Sequence, residues 1–205
     1  MGQARCASRF GRQVGTFSLW IGRFGATVVT DILQWDYSTE PIPDVIFSGV
    51  PCEQYSQART TGGPRNYALA DSLTIKQWEI IEHLLEKNSL MLYFIENPAF
   101  SQLWKRECAR EFANPHIILD YCCYGSEYRK RTRFATNSNY IPRPLCDPKI
   151  CVSCPDGKTH AKTAQKGPSK GKVNDCYSTD ALHAYPEPLC QEIFEHCQEV
   201  YWQVL

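Results

Sequence analysis

No stretch of this 205-residue chain is apolar for anything near the roughly 18 to 20 residues that a membrane-spanning helix needs, which excludes a helical membrane protein. An apolar signal-peptide core is missing as well. Met1 to Phe10 holds two arginines and no hydrophobic block, so the expected location is intracellular, nuclear in a eukaryote and cytoplasmic in a bacterium or virus. Net charge is also lacking, because 22 Lys and Arg balance 22 Asp and Glu, and this argues against a general polyanion binder. Locally the balance fails. Residues 1–25 contain four arginines and no acid, and residues 173–205 contain six acids and no Lys or Arg. The chain has no internal repeat, and nothing in it specifies an oligomeric state.

What is present is enough for a folded core, with 43% hydrophobic and 12% aromatic residues, at a length that suits one ordinary domain. The eleven cysteines are odd in number and belong to a chain longer than disulfide mini-proteins. In a reducing compartment they read as metal ligands, a nucleophile and small buried side chains. Two basic segments stand out: Arg129, Lys130, Arg131 and Arg133, then six lysines from Lys149 to Lys172 against the single acid Asp156. Each alone reads as a solvated face, and together they raise a nucleic-acid footprint as the alternative.

Hydrophobic patterning predicts strands over 26–30, 44–48, 90–95, 116–121 and, more weakly, 132–136. Helices are predicted over 69–87, 99–112 and 189–201, the first with Leu73, Ile80, Ile81, Leu84 and Leu85 on one face. Strands alternating with helices imply an α/β fold with a mostly parallel sheet, in which function sits at the carboxyl ends of the strands. The organisation expected is a core over 1–136, an irregular basic segment rich in Cys and Lys over 137–182, and a helix over 183–205 that returns to the core.

The chemistry collects at strand ends. Pro51 and Cys52 follow the second run, where a Gly and a Pro force a turn that exposes the sulfur instead of burying it. A polar, Gly-containing loop follows to Arg65, of the kind that closes over substrates. Glu96 and Asn97 end the next run, an acid and an amide that read either as acid–base chemistry or as the cap region of a helix. In the irregular segment Cys146, Cys151, Cys154 and His160 place three thiols and an imidazole within fifteen residues, a donor set suited to a tetrahedral structural zinc site, with Cys176 as a substitute ligand. Cys122 and Cys123, ending a buried strand, and Cys190 and Cys197, seven apart on a helix, read as packing residues.

Taken in order, these residues resemble the cytosine-5 DNA methyltransferase family, and its small viral and phage-like branch most. The similarity runs over residues 26–136. It comprises Asp31-Ile32, Pro51-Cys52 with Tyr55-Ser56, Glu96-Asn97, Tyr124-Gly125 and Arg131-Thr132-Arg133, with Tyr128 where the family usually has Gln. The 164–168 segment and the 185–190 start of the last helix extend it. The resemblance implies a Rossmann-like methyltransferase sheet and S-adenosylmethionine-dependent methylation of cytosine C5 in DNA. It gives Cys52 the role of nucleophile and Glu96 that of partner to N3 and the exocyclic amine. Arg131 and Arg133 would hold the base and its phosphate; Asp31, Ile32 and Pro51 would contact the cofactor. DNA contacts are expected from Tyr55, Ser56, Arg59, Arg65, Arg129, Lys166 and Lys170. The family's glycine-rich cofactor turn and ribose acid have no good counterpart: residues 10–15 are the nearest and lack a preceding strand. A truncated or inactive relative acting as a DNA-binding module is therefore the alternative reading.

Overall fold

The computed structural model describes residues 30–57, 59, 63–165 and 177–202. The strand expected over 26–30, the glycine-rich stretch over 10–15, Cys176, Lys166 and Lys170 fall wholly or almost wholly outside them. The described chain is α/β, with β1 (Val45–Gly49), α1 (Tyr67–Lys87), β2 (Leu92–Pro98), β3 (His116–Asp120), β4 (Arg131–Thr136), α2 (Thr179–His183) and α3 (Glu187–Trp202). The strands form one open sheet in the order β1-β2-β4-β3. The described residues divide into two units, one comprising those of 30–117 and 133–139, the other 118–132 and those that follow 139.

In the first unit β1 and β2 run parallel, in a register that pairs Val45 with Leu92 and Gly49 with Glu96. A parallel pair needs a long crossover, and α1 supplies it. Its start is fixed by Asn66, whose Oδ1 accepts from the Leu69 amide at 3.1 Å, and its end by Asn88, whose amide donates to the Leu84 carbonyl at 2.8 Å. The buried face is Ala70, Thr74, Gln77, Ile80, Ile81 and Leu84, close to the predicted stripe, with Leu73 and Leu85 packed at its margin. Ile80 and Ile81 are fully buried and each contributes about 2 kcal/mol of apolar transfer.

The mostly parallel expectation is corrected. β4 runs against both its neighbours: Asn137, just past its end, bonds Tyr93 N and Met91 O at the start of β2, and Thr136 N donates to Pro115 O at the start of β3. In the second unit the other end matches, with Tyr121 N donating to Lys130 O at 3.2 Å. The cause is the short connection 121–130, below the dozen residues that a parallel crossover takes. One of the three strand pairings is thus parallel and two are antiparallel, although only β4 is reversed.

The helix predicted over 99–112 is also corrected. It resolves into two 3-10 turns, Gln102–Lys105 and Glu107–Ala109, separated by Arg106 in an extended conformation with ψ 150°. Ser101 caps the first by accepting from Leu103 N at 3.2 Å. The predicted last helix is present as α3, which buries Leu189, Ile193 and Cys197. No described helix is long and apolar enough to cross a membrane.

Candidate functional site

The parallel register puts the residues that follow β1 beside the end of β2. Asn97 is fully buried and its Nδ2 donates to the Val50 carbonyl at 2.9 Å, which fixes the chain two residues before Cys52. Cys52 then opens a turn, its carbonyl accepting from Tyr55 N at 3.0 Å, and Tyr55 O accepts from Gln102 N at 3.0 Å. Strapped at Val50 and at Tyr55, the half-buried Cys52 is held at the carboxyl end of β1, adjacent to the strand that carries Glu96. Sequence reasoning gave Asn97 no role of its own, yet it supplies the strap; an amide directly after an acid at the end of an apolar run was the available signal.

The loop after Cys52 is braced by its own arginines. Arg59 donates to Gln54 Oε1 at 2.6 Å and to Gly63 O at 3.0 Å, and Arg65 donates to Gln54 O at 2.5 Å and Ser56 O at 2.8 Å. Tyr55 is not at a DNA-facing surface, which corrects that expectation. It is fully buried, and its hydroxyl bonds Asp71 Oδ1 at 2.9 Å and Thr74 Oγ1 at 3.1 Å. Desolvation pushes its phenol pKa well up, so it stays neutral. Asp71 is the centre of a network that the sequence did not announce. It accepts from Tyr55, from Nε and Nη2 of Arg106, and from Cys108 Sγ at 3.3 Å. Burial would raise its pKa, but the hydrogen bonds from Arg106, Tyr55 and Cys108 outweigh burial and hold the carboxyl below its ordinary range. Burial and Asp71 together push the Cys108 thiol up to about 11.

Of the cofactor residues, Ile32 is a core side chain and Asp31 spends Oδ1 on the Leu33 amide at 3.0 Å, while Pro51 is half-buried. Arg133 lies in the same unit. Its guanidinium stacks 4.4 Å from the Trp104 ring and donates to the Ala113 carbonyl, with Nε buried and no carboxylate pairing it among the described residues. Burial lowers its pKa, but a guanidinium stays charged.

Arg131, in the second unit, is instead committed. Its Nε and Nη2 bond Asp120 Oδ1 and Oδ2 at 2.9 and 2.7 Å, a bidentate pair whose carboxylate is fully buried. Asp120 Oδ2 also accepts from Cys146 N at 3.1 Å. The guanidinium expected to hold the base thus has a carboxylate partner of its own. Asp120, unassigned from sequence, was visible as an acid inside an apolar run, which demands a partner. Arg129 is exposed.

The same unit gathers a donor cluster that could hold a metal ion. One ligand atom each from Cys122, Cys146, Cys151 and His160 lies within 4.8 Å of all the others. This corrects the expectation that Cys122 is a packing residue: it is a member of the cluster, delivered by the 3-10 turn Tyr121–Tyr124 that ends β3. Cys154 is not part of this set; its Sγ lies 3.1 Å from His160 Nδ1, on the far side of the ring from Nε2. None of the nine described cysteines is in a disulfide. Cys197 is a packing residue as expected, its thiol pushed up to about 11 by burial. Set against known proteins, the chain matches no family model and no curated sequence.

Proposed function

We propose that this chain is a cytosine-5 DNA methyltransferase domain that works through a covalent adduct at Cys52. The observation that carries the reading is the parallel register of β1 and β2, Gly49 against Glu96, with Asn97 strapped to Val50. It sets a nucleophile and a carboxyl group at adjacent strand ends, the arrangement that ligand sites in α/β sheets use. The β1–α1–β2 crossover is what supports the finer reading of a Rossmann-like methyltransferase sheet.

Cytosine C5 is a poor nucleophile, so the chain must first push electrons into the ring. The Cys52 thiolate adds to C6, forming an Sγ–C6 bond and moving the C5–C6 π pair toward C5. Glu96 hydrogen-bonds N3 and the exocyclic amine and stabilises the charge that this addition creates. Arg133, charged, partly desolvated and with no carboxylate pairing it among the described residues, takes the flanking phosphate. S-adenosylmethionine, when bound, supplies the methyl group; the second carboxylate oxygen of Asp31 and the edge of Pro51 are the contacts that this part of the chain offers it. Transfer of the C5 proton to solvent water then returns the electron pair, breaks the Sγ–C6 bond and frees the thiolate. A base inside a duplex cannot reach this site, so DNA enters with the cytosine flipped out.

Fluorine at C5 cannot leave as a proton, so DNA containing 5-fluorocytosine plus S-adenosylmethionine is expected to leave the protein covalently bound and retarded on a denaturing gel. Cys52→Ala removes the adduct. Absence of any adduct with the wild-type chain rejects the enzyme reading and leaves the DNA-binding module; an adduct that survives Cys52→Ala rejects the nucleophile.

A further inference from the structure

We infer that the cluster binds one zinc ion through Cys122, Cys146, Cys151 and Nε2 of His160, and that Cys154 is not a ligand but the hydrogen-bond partner that orients the imidazole. This inference does not depend on the chemistry assigned to Cys52.

Three observations carry it. The first is distance. Around a tetrahedral zinc with bonds of about 2.3 Å to sulfur and 2.0–2.1 Å to nitrogen, a ligand sulfur and a ligand nitrogen lie about 3.6 Å apart. Cys146 Sγ and Cys151 Sγ are each 3.6 Å from His160 Nε2. The spacing is that of two ligands flanking a metal, and Cys122 Sγ completes a fourth corner within 4.8 Å of the rest. The second is the use of the ring. With Nε2 turned to the three sulfurs, Nδ1 faces Cys154 Sγ at 3.1 Å. A ligating imidazole fixes its tautomer by donating its other N–H to an acceptor, and Cys154 occupies that position. One ring cannot give Nε2 to the cluster and leave Cys154 in the same shell.

The third is the poverty of the segment that carries the ligands. Between 146 and 160 only Cys154 is buried, while Ile150 and Val152 are 82% and 93% exposed. The backbone here is a chain of tight turns: Cys151 N to Asp147 O, Cys154 N to Cys151 O and Gly157 N to Cys154 O, at 2.9–3.0 Å, with Gly157 at φ +65°. A turn-rich segment with no apolar core of its own needs a staple, and metal binding supplies folding free energy. Three thiolates and an imidazole in a closed tetrahedral set select zinc, a borderline-soft ion with no geometric demand of its own. The consequence is structural. Zinc would fasten the end of β3, through Cys122, to the irregular segment, beside the point where Asp120 already accepts from Cys146 N at 3.1 Å.

The test uses the full chain, purified without added metal and then loaded with Co(II) as a spectroscopic stand-in. The wild type is expected to carry about one equivalent of zinc, and its cobalt form to show a tetrahedral spectrum with thiolate charge-transfer intensity for three sulfurs. Cys154→Ser should keep full stoichiometry and the three-sulfur intensity, with metal affinity about tenfold weaker, as for loss of an outer-shell partner. Cys122→Ser should drop the intensity by a third. Loss of one sulfur's intensity in Cys154→Ser, or wild-type protein that holds less than half an equivalent and takes up no cobalt, overturns the assignment. Should Cys122→Ser fail to fold, the Cys154→Ser spectrum still decides.

Discussion

Two arginines two residues apart on β4 behave differently, and the difference is electrostatic. Arg131 is spent on a fully buried carboxylate, Asp120. Replacing Arg131 by Ala strands that charge, and stability should fall by about 3–5 kcal/mol, read as a shift of the urea midpoint. Arg133 has a ring and a carbonyl for neighbours and no described carboxylate. Its charge remains available to an anion, so Arg133→Gln should weaken DNA binding and reduce the slope of log K against log salt by about 1, measured by fluorescence anisotropy over a salt series. An unchanged slope would make Arg133 purely structural. The Arg-x-Arg spacing was legible in the sequence, but the division of labour was not, because Asp120 lies eleven residues upstream and reaches Arg131 only when β3 and β4 pair. Tyr55 teaches the same lesson in reverse. An aromatic followed by Ser beside a reactive cysteine reads as a substrate contact, whereas Asp71 and Thr74 on α1 give its hydroxyl two buried partners and draw the ring inward.

At the scale of elements, the Asp71 network joins α1, the turn after Cys52 and the second 3-10 turn. Because the native carboxyl titrates below its ordinary value of 3.8, its contribution is complete above that value and disappears as pH falls through the lower native one. Asp71→Asn should therefore cost about 2 kcal/mol at pH 7, and the gap to wild type should narrow progressively below about pH 4 in urea titrations at each pH. A gap that stays constant on acidification would deny the ionised Asp71 its role. The elements themselves were largely readable: α1 and α3 from their apolar stripes, and β1, β2 and β3 from short apolar runs. What escaped was direction and continuity. Nothing in Arg131–Thr136 announces that it runs against its neighbours, since that follows from the brevity of 121–130. The 99–112 pattern has helical spacing, yet Arg106 is extended and splits it into two turns.

At the scale of the whole molecule, the two units are held by different physics. The unit containing α1, β1 and β2 has a broad apolar core of Ile46, Ile80, Ile81, Phe112 and their neighbours. The irregular part of the other has turns and a thiol cluster. Chelation should act on the second alone. Hydrogen exchange after zinc removal is expected to strip protection from the amides of Cys151, Cys154 and Ala161 while those of α1 keep theirs. Three of the four donors were visible at close sequence spacing; Cys122 was not, since it stands twenty-four residues before Cys146 and looks like the end of a buried strand. The Pro51-Cys52 and Glu96-Asn97 pairs were legible as motifs, and the parallel register is what sets them at adjacent strand ends. Mass mapping of the 5-fluorocytosine adduct decides whether Cys52 is the nucleophile. Trypsin releases residues 24–59 as one peptide whose single cysteine is Cys52. The nucleotide mass is expected on that peptide alone, and its appearance on the peptide carrying Cys108 or any other cysteine would rule out Cys52 as the nucleophile.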